Sequence, residues 1–199
     1  MTIEDLQKAN PETLRQYLIS YYQANQWELD PLINLFSFRR EEGVSNEHYS
    51  DLIGAFSFSS PKIILGPGTT QPGIFYANKP LNPLGTAHVI KGFYPKVFKR
   101  GIHNKGKKSA HEAFLQVGKF SVRRDANHNG IIDVYEPLET ASNQGINLHS
   151  QFGDGEDIGL WGAACSVLQH MTTLKELIKW ADETKITYFN YGIILAEEI

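Results

Sequence analysis

The chain has 199 residues, of which 41% are hydrophobic and 21% charged, and its formal net charge is −3 at pH 7. This length and composition suit one domain with its own hydrophobic core. The small net charge argues against a nucleic-acid partner or an anionic membrane surface. One run, residues 95–108, is strongly basic despite the small net charge of the chain. We interpret it as a solvated loop, with binding of an acidic polymer as the alternative.

The cysteine content and the N-terminus bear on where the protein folds. Cys165 is the only cysteine, so the fold does not depend on a disulfide or on an oxidising compartment. The N-terminal residues are acidic and amphipathic, unlike a secretory signal peptide, and no apolar run approaches the length of a membrane span. We therefore expect synthesis in the cytoplasm and no membrane insertion. Action at a cell wall would require release or export by another route.

The first predicted element is a helix in an N-terminal lead-in, residues 1–30. Asn10 before Pro11 is a typical helix start, since Asn caps the first turn and Pro fits its first position. Apolar and aromatic residues then recur at spacings of three and four, at Leu14, Tyr17, Leu18, Tyr21 and Tyr22. This spacing predicts an amphipathic helix of about four turns that packs on an apolar surface.

The remaining residues, 31–199, predict one β-rich domain. Short runs rich in β-branched and aromatic residues alternate with Gly, Pro and Asn, which is typical of successive strands. The runs are LINLFSF, LIGAFSF, KIILG, GIFYA, AHVIKGFY and AFLQVGKFSV. Thr173 and Glu176 fit a capping box for a helix that ends near Asp182, and KITYFNYGIIL predicts a last strand. The expected fold class is therefore α+β, with an N-terminal helix and a helix before the last strand.

Cys165 follows a run of small residues, sixteen positions after His149. A thiol acts as a nucleophile only as the thiolate, which requires a nearby base and backbone donors for the oxyanion. The segment GINLHS predicts a strand that carries His149, and Gly162, Ala163 and Ala164 leave room for a substrate carbonyl near the backbone. The loop FGDGEDIG is long enough to return the cysteine to the histidine. The alternative is that Cys165 is a small buried hydrophobic residue.

Three segments around this pair resemble the L,D-transpeptidase (YkuD-like) catalytic domain, and in particular a divergent branch of that family. They are RRDANHNG at residues 123–130, GINLH at 145–149 and WGAACSV at 161–167. The resemblance covers roughly residues 32–195. It implies a β-rich mixed sheet or sandwich and a cysteine enzyme that acts on peptidoglycan stem peptides, by transpeptidation or hydrolysis. No cofactor is required by this chemistry.

The resemblance also implies roles for individual residues. Cys165 would be the nucleophile and His149 the general base, with the oxyanion held at the turn formed by Gly162, Ala163 and Ala164. The substrate cleft would include Ser150, Trp161 and His103. The chain departs from the family pattern at Gly162 (Ser in the family), Ala164 (Gly) and Ser166 (Arg or Gln). Because alanine disfavours a positive φ, the departure at Ala164 leaves a degenerate, non-catalytic binding module as the alternative.

A second motif, DANHNGIIDVYE, has the spacing of a calcium-binding loop. The ligand positions would be filled by Asp125, Asn127, Asn129, the Ile131 carbonyl, Asp133 and Glu136. The preceding residues predict a strand rather than a helix, so this would be a structural calcium site outside a helix-loop-helix hand. The alternative is a turn in which the Asx side chains bond the local backbone.

The other histidines carry weaker signals. His103 and His111, together with His149, raise the alternative of a zinc hydrolase, although their spacing fits no compact zinc motif.

Overall fold

A computed structural model describes residues 1–133, 135–153 and 155–199. Val134 lies outside the described residues, and so does Asp154, which belongs to the predicted loop between His149 and Cys165. The described part of the chain is a strand-rich α+β fold with few helices, which confirms the predicted fold class at that level.

The strands form two sheets. In chain order they are β1 (Asn34–Arg39), β2 (Asp51–Phe56), β3 (Ile63–Thr69), β4 (Thr86–Val89), β5 (Gly92–His103), β6 (His111–Gln116), β7 (Lys119–Asp125), β8 (Leu138–Ser142), β9 (Leu148–Ser150), β10 (Ser166–Leu168) and β11 (Tyr188–Leu195). Eight of them form a sheet that closes on itself in the order β1-β11-β5-β6-β9-β10-β3-β2. The others form a three-stranded sheet in the order β4-β7-β8.

Two helices, α1 (Ile3–Lys8) and α2 (Pro11–Ala24), form the N-terminal lead-in. Asn10 caps α2, because its side-chain oxygen accepts hydrogen bonds from the N–H groups of Glu12 (3.0 Å) and Thr13 (3.3 Å). This confirms the predicted helix start. Both helices pack on the closed sheet through a second, smaller core, in which Leu14, Leu18 and Tyr22 lie with residues of β1, β2 and β11.

The composition of GIFYA predicts a strand, and this prediction is wrong. The segment leads into the short helix α3 (Ile74–Asn78). The reason is non-local. The N–H of Gly73 donates to the Gly162 carbonyl (2.8 Å), and the Gly73 carbonyl accepts from the N–H of Tyr76 (2.9 Å) and so begins a helical turn. This bond ties α3 to the chain just before Cys165.

The helix α4 (Met171–Thr184) lies before the last strand, as predicted, but the predicted capping box is wrong. The helix begins earlier, with His170 as its N-cap and no side-chain cap bond. Thr173 is therefore inside the helix, where its hydroxyl packs against β3 near Gly66. The apolar face of α4 joins the main core, contributing Leu174, Leu177, Ile178, Trp180 and Ala181.

The main core also includes inward-facing residues of the closed sheet and of the three-stranded sheet. The runs AHVIKGFY and AFLQVGKFSV each span two strands rather than one, β4 with the start of β5 and β6 with β7. No helix in the three described ranges has the length and apolar character needed to span a bilayer.

Candidate active site

Cys165 lies beside the strand that carries His149. Strands β9 and β10 are parallel neighbours, and His149 is in register with Val167. Ser166 points into the closed sheet, where its hydroxyl bonds the Tyr191 hydroxyl at 2.8 Å. Because side chains alternate along a strand, His149 projects from the opposite face, and Cys165 comes directly before β10. The fold therefore places Cys165 directly before the strand that pairs with the His149 strand, and the pairing of the two as a catalytic dyad stays a prediction.

The sulfur of Cys165 has two backbone contacts. The N–H of Asn147 donates to Sγ at 3.3 Å, and the thiol donates to the Gly145 carbonyl at 3.4 Å. Cys165 is partly buried. Desolvation by burial raises the pKa of the thiol to about 11, against the smaller opposing effect of the Asn147 N–H. The resting side chain is therefore a neutral thiol.

His149 is 1% exposed. Its Nδ1 lies 3.0 Å from the Ser150 carbonyl, and since a carbonyl can only accept, Nδ1 carries the proton and Nε2 has the lone pair. Nε2 has no hydrogen-bond partner among the described residues. Burial lowers the pKa of His149 to about 3, and His103 adds to this effect, while the carbonyls of Ser150 and Trp161 act in the other direction. His149 is a neutral imidazole whose Nε2 is buried and has no hydrogen-bond partner among the described residues.

Three histidine rings meet at this point. The ring of His103 stacks on that of His149, with centroids 4.0 Å apart and an interplanar angle of 10°. His111 lies 5.4 Å from His103 and 5.6 Å from His149 between centroids. Nδ1 of His111 bonds the Ser109 carbonyl at 2.8 Å, and its Nε2 is buried with no partner in the part of the chain that the structure describes. Across the described ranges, however, no three His, Cys, Asp or Glu side chains are placed to hold a metal ion.

The turn before the cysteine does not need a glycine at position 164. Ala164 is not among the residues with positive φ, so the strain expected from replacing the family's glycine does not arise. At position 162, a Cβ would lie 3.0 Å from a methyl group of Ile158. This close contact favours glycine over the serine of the family pattern. Ala163 and Ala164 line a cavity of about 190 Å³ on this side of Cys165.

The predicted cleft residues differ in how they can act. His103 lies against His149, as described above. Ser150 is fully buried, and its hydroxyl donates to the Gln151 carbonyl at 2.7 Å. It therefore reaches the site only through its carbonyl, which orients His149. Trp161 also affects His149 through its backbone carbonyl.

Asn147 was not predicted as a site residue, yet it connects the sulfur to the histidines. Its N–H bonds Sγ, its side-chain amide donates to Nδ1 of His103 at 3.0 Å, and its side-chain oxygen accepts from the N–H of Gln116 at 2.9 Å. The period-two alternation in GINLHS already places Asn147 on the same face as His149. That alternation is the sequence signal that could have pointed to Asn147.

The acidic loop forms local turns. The two carboxylate oxygens of Asp125 accept from the N–H groups of Asn129 (3.0 Å) and Gly130 (2.8 Å). Those of Glu136 accept from the N–H groups of Ala126 (2.7 Å) and Asp133 (3.1 Å). Gly130 has the expected positive φ of 81°. The predicted ligands Asn127, Asn129, Ile131 and Asp133 lie in the same loop, and calcium binding there stays a prediction.

Comparison of the chain with protein-family models, with curated proteins and with solved structures finds no match. The resemblance to L,D-transpeptidases therefore stays a prediction that depends on the three sequence motifs.

Proposed function

We propose that the protein is a cysteine acyl-transfer enzyme that acts on peptidoglycan stem peptides, with a domain of the L,D-transpeptidase type. One observation carries the chemical part of this proposal. Cys165 comes directly before β10, the parallel neighbour of the strand that carries His149, and the N–H of Asn147, two residues before His149, donates to the Cys165 sulfur. The substrate class comes from the motif resemblance alone.

The proposed reaction begins when the thiol exchanges its bond to the Gly145 carbonyl for one to Nε2 of His149. Nε2 then takes the proton as Sγ attacks the substrate carbonyl carbon. Backbone N–H groups at the turn of Ala164 and Cys165 stabilise the oxyanion. The intermediate collapses to a thioester, and the leaving amine takes the proton from His149. An amine or a water molecule then releases the acyl group, which gives a crosslink or a hydrolysed peptide.

The test is the thioester itself. The protein is incubated with a stem tetrapeptide, quenched in acid and measured by intact-mass spectrometry. We expect the native protein to gain a mass equal to that of the peptide acyl group. Cys165→Ala should show no such adduct. The matched control is His128→Asn, which changes an exposed histidine and should retain the adduct, whereas His149→Gln should lose it. Absence of an adduct and of any product in the native protein contradicts the proposal.

The second candidate is a binding module that has kept the surface and lost turnover. It is favoured by the raised pKa of Cys165 and by the thiol's bond to the Gly145 carbonyl, because both hold the sulfur in its unreactive form. This candidate predicts that stem peptide binds equally well to the native protein and to Cys165→Ala, with no adduct in either.

The proposed site of action is the cell wall, reached by release or export. The proposed calcium ion would be structural, bracing the segment between β7 and β8 rather than taking part in the reaction.

A further inference from the structure

A second pair of nucleophile and base is formed by residues that the Cys165 site does not use. Ser45 lies in the loop after β1, Gln71 follows β3, and His88 is in β4. The hydroxyl of Ser45 lies 3.3 Å from Nε2 of His88, and Nδ1 of His88 lies 2.8 Å from the side-chain oxygen of Gln71. All three residues are buried. The fold therefore brings a hydroxyl, an imidazole and an amide into one chain of hydrogen bonds.

The hydrogen bonds of Gln71 determine which nitrogen of His88 carries the proton. The side-chain amide nitrogen of Gln71 donates to the Glu41 carbonyl at 3.1 Å, so the side-chain oxygen is the atom that faces His88. Because that oxygen can only accept, Nδ1 of His88 carries the proton and Nε2 has the lone pair. The hydroxyl of Ser45 therefore donates to Nε2. This is the order of groups that activates a serine as a nucleophile.

His88 is neutral at pH 7. Burial lowers its pKa to about 3, and the positive charge of Arg39 adds to this effect. The lone pair of Nε2 is therefore available to take a proton from the hydroxyl of Ser45. A base with so low a pKa is weak, however, so turnover should be slow.

Ser45 also lines a cavity of about 260 Å³. Gly130 leaves space beside it, because a Cβ at position 130 would lie 3.8 Å from the Cβ of Ser45 and 3.7 Å from that of Ala77. The side-chain amides of Asn78 and Asn129 offer donors for a carbonyl oxygen. The other described lining residues are apolar, and they are Val44, Ile74, Ala77 and Ile131. A lining without charge suits a small, uncharged and largely apolar ligand.

We propose that Ser45 is a second nucleophile, which cleaves small uncharged esters with His88 as its base and Gln71 as the residue that orients His88. Oγ of Ser45 forms a bond to the ester carbonyl carbon as its proton passes to Nε2 of His88. The bond from that carbon to the alkoxide oxygen breaks, and the alkoxide leaves with the proton as an alcohol. Water then attacks the acyl group and gives a proton to Nε2. The acid leaves as Oγ takes that proton back.

The first test uses the native protein and a reagent that reports activated serines. The protein is incubated at pH 7.5 with a short-chain alkyl fluorophosphonate, from which a serine hydroxyl displaces fluoride, and the modified residues are located by peptide mass spectrometry. Ser142, exposed in β8, is the control within the same molecule. We expect Ser45 to react at least about 100-fold faster than Ser142. Absence of modification at Ser45, or equal rates at the two serines, overturns the proposal.

A pair of matched variants tests the role of His88 as the base. In His88→Asn the side-chain amide can still donate to Gln71, but Nε2 is gone, so modification of Ser45 should be lost. His128→Asn, the same change at an exposed histidine, should leave it unchanged. Modification of Ser45 in a folded His88→Asn protein at the native rate contradicts the proposal. If His88→Asn does not fold by circular dichroism, the comparison of Ser45 with Ser142 in the native protein still decides the question.

Ester cleavage itself is measured with p-nitrophenyl acetate. The Cys165→Ala protein is used, because a free thiol also reacts with this ester. We expect it to release p-nitrophenol faster than buffer alone, and the added change Ser45→Ala should return the rate to that of buffer. Equal rates with and without Ser45 would refute ester cleavage at this site. Because Cys165 is absent here, failure of the thioester assay and failure of this proposal are separate results.

Discussion

The resting thiol of Cys165 should react slowly with alkylating reagents. Burial raises its pKa to about 11, compared with about 8.5 for an exposed cysteine. At pH 7.5 its thiolate is therefore about 300-fold rarer than that of a free cysteine. A thiolate of higher pKa is also more nucleophilic, by about tenfold over this interval. The two effects together predict alkylation about 20- to 30-fold slower than that of free cysteine.

The assay is the rate of modification by iodoacetamide between pH 6.5 and pH 10.5, followed by intact mass. Cys165 is the sole cysteine, so no other thiol contributes. The rate should rise about tenfold per pH unit over most of this range. Changing His149→Gln should alter it less than about twofold, since Nε2 does not bond the sulfur. A rate that levels off near pH 7 and falls in His149→Gln would show a thiolate–imidazolium pair and refute this reasoning.

Three further predictions concern the stability of the fold and the acidic loop. Because the pKa of His149 is lowered to about 3, the unfolded chain binds more protons than the folded one between about pH 3 and pH 6.5. The free energy of unfolding should therefore fall on acidification through that window, by at most about 1.4 kcal/mol per pH unit for this group. Urea unfolding at several pH values should show this loss of unfolding free energy in the native protein and in the exposed-site control His128→Asn. In His149→Gln the unfolding free energy should depend less steeply on pH. Gly54→Ala should prevent folding, as judged by circular dichroism, because its Cβ would lie 2.0 Å from a backbone oxygen of β3; a cooperative unfolding transition like that of the native protein would contradict this. The proposed calcium ion should bind weakly, with heat by isothermal titration only near or above about 1 mM, since Asp125 and Glu136 already bond backbone N–H groups; micromolar binding would show that the loop rearranges around the ion.

Local signals predicted the elements that depend on local physics. The start of α2 follows from Asn10 and Pro11, whose preferences act within one turn. The segment GIFYA shows the limit of such signals. Its aromatic and β-branched residues favour a strand, but the bond from Gly73 to Gly162 begins a helix instead. The partner is nearly ninety positions away, so no local pattern contains that information.

The candidate site also combines features that local sequence signals predict with features that depend on distant residues. The gap between His149 and Cys165 suggested that the chain returns on itself, and β9 and β10 are indeed parallel neighbours. The stack of His103 on His149 depends on β5 pairing with β6, and on β6 pairing with β9 at Phe114 and Leu148. These are registers that the sequence does not specify. The cavity lined by Ala163 and Ala164 is also lined by Arg124 of β7, so it exists only where the three-stranded sheet meets the closed sheet.

The two candidate functions differ in what the bound peptide must do to the thiol. The pKa values of Cys165 and His149 are about 11 and about 3, so moving the proton between them in the resting site costs on the order of 10 kcal/mol. A turnover rate of about 10 per second allows a total barrier of about 16 kcal/mol. Little would remain for attack on the carbonyl, so an active enzyme must lower this cost when substrate binds. A bound peptide that displaces the thiol from the Gly145 carbonyl would release it toward Nε2 of His149. A peptide that binds without shifting the titration of either group would leave the proton transfer as unfavourable as it is at rest, and the binding-module function would then be the correct one.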